Sequence, residues 1–192
     1  MADLFLIAGL GNPGSKYERT RHNIGVRVVQ RLAERAGVSL AKSKFKGESA
    51  KARIAGVEAL LLTPHTYMNL SGESVGPAAR FFDVPPERVV VLHDELEIPF
   101  GRLRLKQGGG HAGHNGLKSL IQHLGSRDFH RVRVGIGRPP PGQEVAAYVL
   151  NGHTPDELPR VPELIDVAAD ATEALLSEGL VAAMNRYNST QV

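Results

Sequence analysis

The chain contains no cysteine. That absence removes disulfides, thiolate nucleophiles and cysteine-ligated metal sites together, and makes the cytoplasm the simplest expected compartment. No apolar run approaches the length of a membrane span, so no membrane partner is expected. Met1-Ala2-Asp3-Leu4 lacks a basic stretch ahead of an apolar one, so no secretory leader is expected. No Walker phosphate loop, internal repeat or low-complexity tract occurs. Acidic residues are scarce in one place. From Gly101 to Arg138, Asp128 alone stands against Arg102, Arg104, Lys106, Lys118, Arg127, Arg131, Arg133 and Arg138. From Pro139 onward the balance reverses, with eight acidic residues against Arg160 and Arg186. A local basic segment in a balanced chain suits either a polyanion or a plain solvated face.

What remains is the composition of an ordinary globule: 192 residues, 42% hydrophobic and 22% charged, enough for one domain with a sizeable core. Leu4 to Ala8 is a short apolar run closed by glycine and reads as a buried strand. Val28, Val29, Leu32, Ala33 and Ala36 fall at helical spacing between Ile24 and the stop at Gly37. Residues 49–54 and 58–63 read as strands joined at Gly56, and 70–82 as a helix. Residues 88–92 and 102–106 read as strands, 116–124 as a helix, and 131–136 as a strand. Residues 154–187 read as helical, broken near Pro159, Pro162 and Gly179, and Arg138-Pro139-Pro140-Pro141-Gly142 as an exposed connection. Alternating strands and helices predict a single α/β domain, residues 1–192, with a twisted mixed β-sheet flanked by helices.

Four glycine-flanked blocks hold most of the asparagine and half of the histidine. They run from Gly9 to Gly14 and on to Gly25, from Thr66 to Gly72, from His93 to Leu96, and from Gly108 to Gly116. They fall at strand ends and helix starts, where α/β sheets open their crevices. Neutral amides, imidazoles and one carboxylate suit proton transfer and the gripping of peptide-like groups.

Several chemistries compete for these blocks. Gly9, Gly11 and Gly14 fit the dinucleotide pattern, but Pro13 removes a backbone donor and no acidic residue marks the next strand. Gly72-Glu73-Ser74-Val75-Gly76 fits a nucleophile elbow, with Asp94 and His114 following in hydrolase order, but Ser74 falls inside an expected helix. His111 and His114 with His93, Asp94 and Glu95 suggest a metal site, although two of the histidines lie on a loop and the neighbouring carboxylates point opposite ways. The remaining scheme makes His22 a general base, with Asp94, at the end of an apolar strand, as its carboxylate partner. Asn12 precedes proline as a turn residue would, while Asn23, Asn69 and Asn115 precede helices as caps would.

Taken together, and in this order along residues 4–137, the blocks closely resemble bacterial peptidyl-tRNA hydrolase. The resemblance implies cleavage, without metal or other cofactor, of the ester joining a peptide to the 3′-terminal ribose of tRNA. It implies His22 as the base that activates water, Asp94 as its support, and Asn12 as the group that recognises the first peptide unit. Asn69 and Asn115 would hold substrate and water. Tyr17 and Tyr67 match positions that contact the tRNA end or the peptide. Lys106 and Arg133 match positions that grip the acceptor stem. The expected partner is peptidyl-tRNA, and the expected state is a cytoplasmic monomer.

Overall fold

The structure is a computed structural model that describes residues 3–192. Seven strands form one mixed sheet: β1 (Phe5–Gly9), β2 (Ala41–Ser43), β3 (Gly47–Ile54), β4 (Val57–Pro64), β5 (Val89–Glu95), β6 (Leu103–Gln107) and β7 (His130–Gly135). Their order is β2-β3-β4-β1-β5-β7-β6. The four central strands, β4, β1, β5 and β7, run parallel, whereas β2, β3 and β6 pair antiparallel at the edges. The α/β expectation therefore holds.

Strand β1 shows why the centre is parallel. Ile7 faces one apolar cluster while Leu6 and Ala8 face the other, and all three are fully buried. A strand covered on both faces reads as continuous apolar sequence rather than an alternation. Helices α1 (Ile24–Ala36), α5 (Val161–Glu178) and α6 (Leu180–Tyr187) close the first face, and α2 (Gly72–Phe81) and α3 (Asn115–Leu124) close the second. In α1, Ile24, Val28, Val29, Leu32 and Ala33 form the buried stripe. Gly37, at φ 69°, ends the helix in the left-handed conformation with its N–H on the Ala33 and Glu34 carbonyls.

Two glycines bring α1 onto the sheet. A Cβ on Gly25 would lie 2.1 Å from the Leu92 carbonyl oxygen, and one on Gly9 would lie 2.3 Å from the Gly25 oxygen. Only backbone fits there, so the first turn of α1 rests on the ends of β1 and β5. This contact, not phosphate binding, accounts for the first glycine of the dinucleotide-like pattern.

Four elements differ from expectation, the first of them the short edge strand β2, which no sequence pattern marked. Helix α2 begins at Gly72 because Met68–Leu70 forms a separate 3₁₀ turn, tied by the Met68 N–H to Asn12 Oδ1 at 2.7 Å. Pro162 sits in the first turn of α5, where its missing N–H costs nothing, so it opens that helix. The connection after Arg138 contains a five-residue helix, α4 (Val145–Val149), whose first three residues face solvent while Tyr148 and Val149 are buried.

Candidate active site

The parallel strands deliver Asn12, Tyr67, Asn69 and Asp94 to one end of the sheet, the first three past the C-termini of β1 and β4 and Asp94 in the last residues of β5. His22 arrives on a 3₁₀ turn (Arg21–Asn23) that leads into α1. Its Nδ1 lies 2.7 Å from Asp94 Oδ2, although the two residues are 72 positions apart. The sequence-derived base and carboxylate are therefore hydrogen-bonded to each other.

A third side chain completes the arrangement. His114 Nε2 lies 2.9 Å from Asp94 Oδ1. His114 Nδ1 accepts backbone N–H groups from Gly116 and Leu117 at 3.1 and 3.3 Å, which makes it the N-cap of α3. A ring nitrogen that accepts carries no proton, so Nε2 must carry it and donate to Asp94. The Asp94 carboxylate thus accepts on both oxygens, and His22 donates through Nδ1. That tautomer leaves the lone pair on His22 Nε2 available.

Burial alone would raise the pKa of Asp94, which is 3% exposed. The two adjacent imidazoles and their hydrogen bonds outweigh that cost and hold its carboxyl well below the usual range. His93 behaves differently. It is buried, donates Nδ1–H to the Asp94 carbonyl oxygen at 2.8 Å, and packs edge-on against His114. Burial, with a smaller contribution from His114, pushes its pKa down to about 3, so its ring is neutral.

The competing chemistries do not assemble. Ser74 is fully buried inside α2, and its Oγ has no partner among the described residues. Gly72 instead serves helix packing: a Cβ there would lie 2.4 Å from the Ser119 carbonyl oxygen of α3. The elbow-like pattern is a helix–helix contact. Among the described residues, the grouping with ligand atoms close enough for a metal is His22, Asp94 and His114, and it leaves out His93, His111 and Glu95. In that trio, the imidazole nitrogens that face the carboxylate both carry protons, so neither offers a lone pair to an ion beside Asp94.

The capping role expected for the asparagines also fails. Asn23 makes no cap bond to α1. Its Oδ1 accepts the Asn12 N–H and its Nδ2 donates to the Asn12 oxygen, both at 2.9 Å, so it is buried and used up. This pairing fixes Asn12, whose Oδ1 is taken by Met68 and whose Nδ2, among the described residues, is left free to donate. Asn69 sits exposed in the 3₁₀ turn, and Asn115 is exposed as the first residue of α3, behind its cap His114. Tyr17 and Tyr67 meet edge to face with centroids 6.4 Å apart, and Tyr67 remains 57% exposed. His22, Asp94, Leu96, His114, Asn115 and Val149 line a cavity of about 460 Å³.

The basic segment divides. Lys106 pairs in register with Arg131, and Arg104 with Arg133, which places all four on one face of β6 and β7. Leu103, Leu105, Val132 and Val134 fill the other face, under α5 and α6. Burial, then the charges of Arg133 and Arg131, lower the pKa of Lys106. Arg131 is 1% exposed and donates to the carbonyls of Gly109, Gly110 and Arg127. It braces the glycine loop from within and is not part of an open cationic surface. Sequence reasoning missed this role, and also the part of His114 as a cap. The signal for the second was its position directly ahead of an α3 that opens with Asn115 and Gly116.

Comparison with known proteins gives a consistent result. The sequence model of the family described as peptidyl-tRNA hydrolase matches residues 6–192. A peptidyl-tRNA hydrolase of Geotalea daltonii is 53% identical over 184 residues, covering 96% of each chain. One of Mycolicibacterium smegmatis is 50% identical, covering 98% of this chain and all of the relative. The crystal structure of the Acinetobacter baumannii peptidyl-tRNA hydrolase superposes with a TM-score of 0.91 at 43% identity, covering 100% of this chain and 97% of the other.

Proposed function

This chain belongs to the peptidyl-tRNA hydrolase family, and from that premise we propose how it cleaves the ester between a peptide and the 3′-terminal ribose of tRNA. The His22–Asp94 contact at 2.7 Å carries the proposal. His22 Nε2 takes a proton from water as the water oxygen attacks the ester carbonyl carbon. Asp94, itself held by His114, supports the imidazolium that forms. The tetrahedral intermediate carries its negative charge on the former carbonyl oxygen, which the amide of Asn69 or of Asn115 stabilises. Collapse breaks the bond to the ribose oxygen, which takes the proton back from His22. The products are a free peptide carboxyl group and tRNA with its 3′ hydroxyl restored.

An ester needs less activation than an amide, so a positioned base and oriented amides suffice without a covalent nucleophile. The free Nδ2 of Asn12 suits the carbonyl of the first peptide unit and so favours peptidyl over free aminoacyl esters. Tyr17 and Tyr67 offer ring surface to the tRNA end or the peptide. Lys106 and Arg133 suit phosphates of the acceptor stem, a contact that reads backbone and not sequence. Among the described residues, no helix is long and apolar enough to cross a membrane. The enzyme is read as a monomer of the cytoplasm, a state that sedimentation would check.

The test is release of intact tRNA from an N-acetylated aminoacyl-tRNA, with the unblocked aminoacyl-tRNA as control. Cleavage of the blocked ester alone is expected. Equal cleavage of both would remove the assignment of Asn12.

A further inference from the structure

His22 rides on a three-residue 3₁₀ turn, which is too short to fix a side chain by its own hydrogen bonds. Something else must aim the imidazole at Asp94. The residue before it is Arg21, a guanidinium only 5% exposed. Its backbone N–H donates to the Asn151 oxygen at 3.0 Å, and the adjacent Thr20 pairs with Gly152 in an antiparallel bridge. Its Nη1 donates to the Tyr148 carbonyl oxygen at 2.9 Å, and its guanidinium carbon lies 3.8 Å from the centre of the Tyr148 ring. Glu157 is its nearest carboxylate, at 3.9 Å.

Tyr148 carries the connection onward. It is 5% exposed, and its hydroxyl donates to the Ile136 carbonyl oxygen at 2.6 Å. The Ile136 N–H donates in turn to the Glu95 oxygen at 3.0 Å. Glu95 follows Asp94 on β5. The path from His22 through Arg21, Tyr148, Ile136 and Glu95 to Asp94 is therefore closed by the 2.7 Å contact between the base and its carboxylate. Both catalytic side chains hang from one ring of buried polar contacts. A buried cation whose nearest counter-charge is 3.9 Å away is an expensive way to fill space, and an apolar side chain would serve packing at lower cost.

We propose that Arg21 and Tyr148 form a clasp that positions the His22 imidazole against Asp94. Neither touches the reacting atoms, and the proposal rests on His22 being the base. The clasp also ties the base to α4, whose Val145, Ala146 and Val149 line the same cavity. Seating of substrate against that wall is thereby felt at the imidazole.

Two conservative variants test it. Tyr148→Phe keeps the ring under the guanidinium and removes only the bond to Ile136. Arg21→Lys keeps the charge and removes the planar stack. Each is expected to lower kcat about ten-fold, since small misplacements of a reacting group cost one to two orders of magnitude. KM should stay within about two-fold of wild type, because no proposed substrate contact is removed. The downfield Nδ1 proton resonance of His22 should broaden in the folded Tyr148→Phe protein. The double variant should be little worse than either single one, because both break one ring. Wild-type kcat in folded Tyr148→Phe would overturn the clasp, and so would a loss of rate expressed in KM with the resonance intact. His22→Ala serves as the control: inactive His22→Ala beside fully active clasp variants removes the clasp alone, whereas active His22→Ala removes the base itself.

Discussion

His114 holds Asp94 by the carboxylate oxygen that His22 does not use, with Nε2 at 2.9 Å from Oδ1. Its other nitrogen is committed to the first amides of α3. The loop that follows β6 is thereby fastened to the end of β5, and the carboxylate cannot rotate away from His22 without breaking a second bond. His114→Ala should lower kcat about ten-fold and cost about 1 kcal/mol of stability through the lost cap. His114→Asn, whose side-chain oxygen can cap α3, should recover the stability and not the rate. Urea denaturation paired with steady-state kinetics would separate the two effects.

Acid stability follows from three buried groups. His93, pushed down to about 3, and His153, pushed down to about 4, both mainly by burial, stay neutral in the fold. In the unfolded chain they take up protons below about pH 6.5. The unfolded state then binds more protons than the native one, so stability falls as pH drops from about 6.5 toward those values. Asp94 is depressed by its two imidazole partners, against its burial. Its contribution is complete above the unfolded value of about 3.9 and is lost only on further acidification. Stability measured from pH 7 to 4 should decline, and His153→Phe should flatten that decline.

Lys106 and Arg133 lie on the bare face of β6 and β7, whereas Arg131 on the same face is folded onto loop carbonyls. Lys106→Ala and Arg133→Ala should each raise KM and reduce the salt slope of tRNA binding by about one. Arg131→Ala should instead destabilise the glycine loop. A filter-binding titration across salt concentrations, set beside thermal melts, distinguishes the three.

Ser74 offers a sharp negative. Its buried hydroxyl has no partner among the described residues, so Ser74→Ala should leave turnover unchanged and stability unchanged or slightly improved. Loss of activity in that variant would reinstate a serine nucleophile.

The legible parts of the sequence were those in which local pattern and tertiary role agree. Strands β1 and β5 are apolar runs because both of their faces are buried, and Gly37 stops α1 because it adopts φ 69°. His22 and Asp94 could be paired because one chemistry needs both a base and a buried carboxylate. Other roles depend on partners remote in sequence. The contacts of Arg131 and Arg21 are made to carbonyls that only the fold brings near, those of the glycine loop for the first and that of Tyr148 in α4 for the second, so a count of charges misread the first and passed over the second. The capping expectation for Asn23 failed because the Asn12 backbone, eleven residues earlier, competes for the same amide. Helix α4 is five residues long beside a proline-rich stretch, too short for any periodicity to show.

The most direct measurement is single-turnover hydrolysis of N-acetylated aminoacyl-tRNA by His22→Ala, alongside its affinity for deacylated tRNA. Removing a positioned base should slow cleavage by about 10²–10⁴-fold, with tRNA affinity within about two-fold of wild type. Wild-type turnover by that variant would contradict the imidazole at position 22 as the group that activates water.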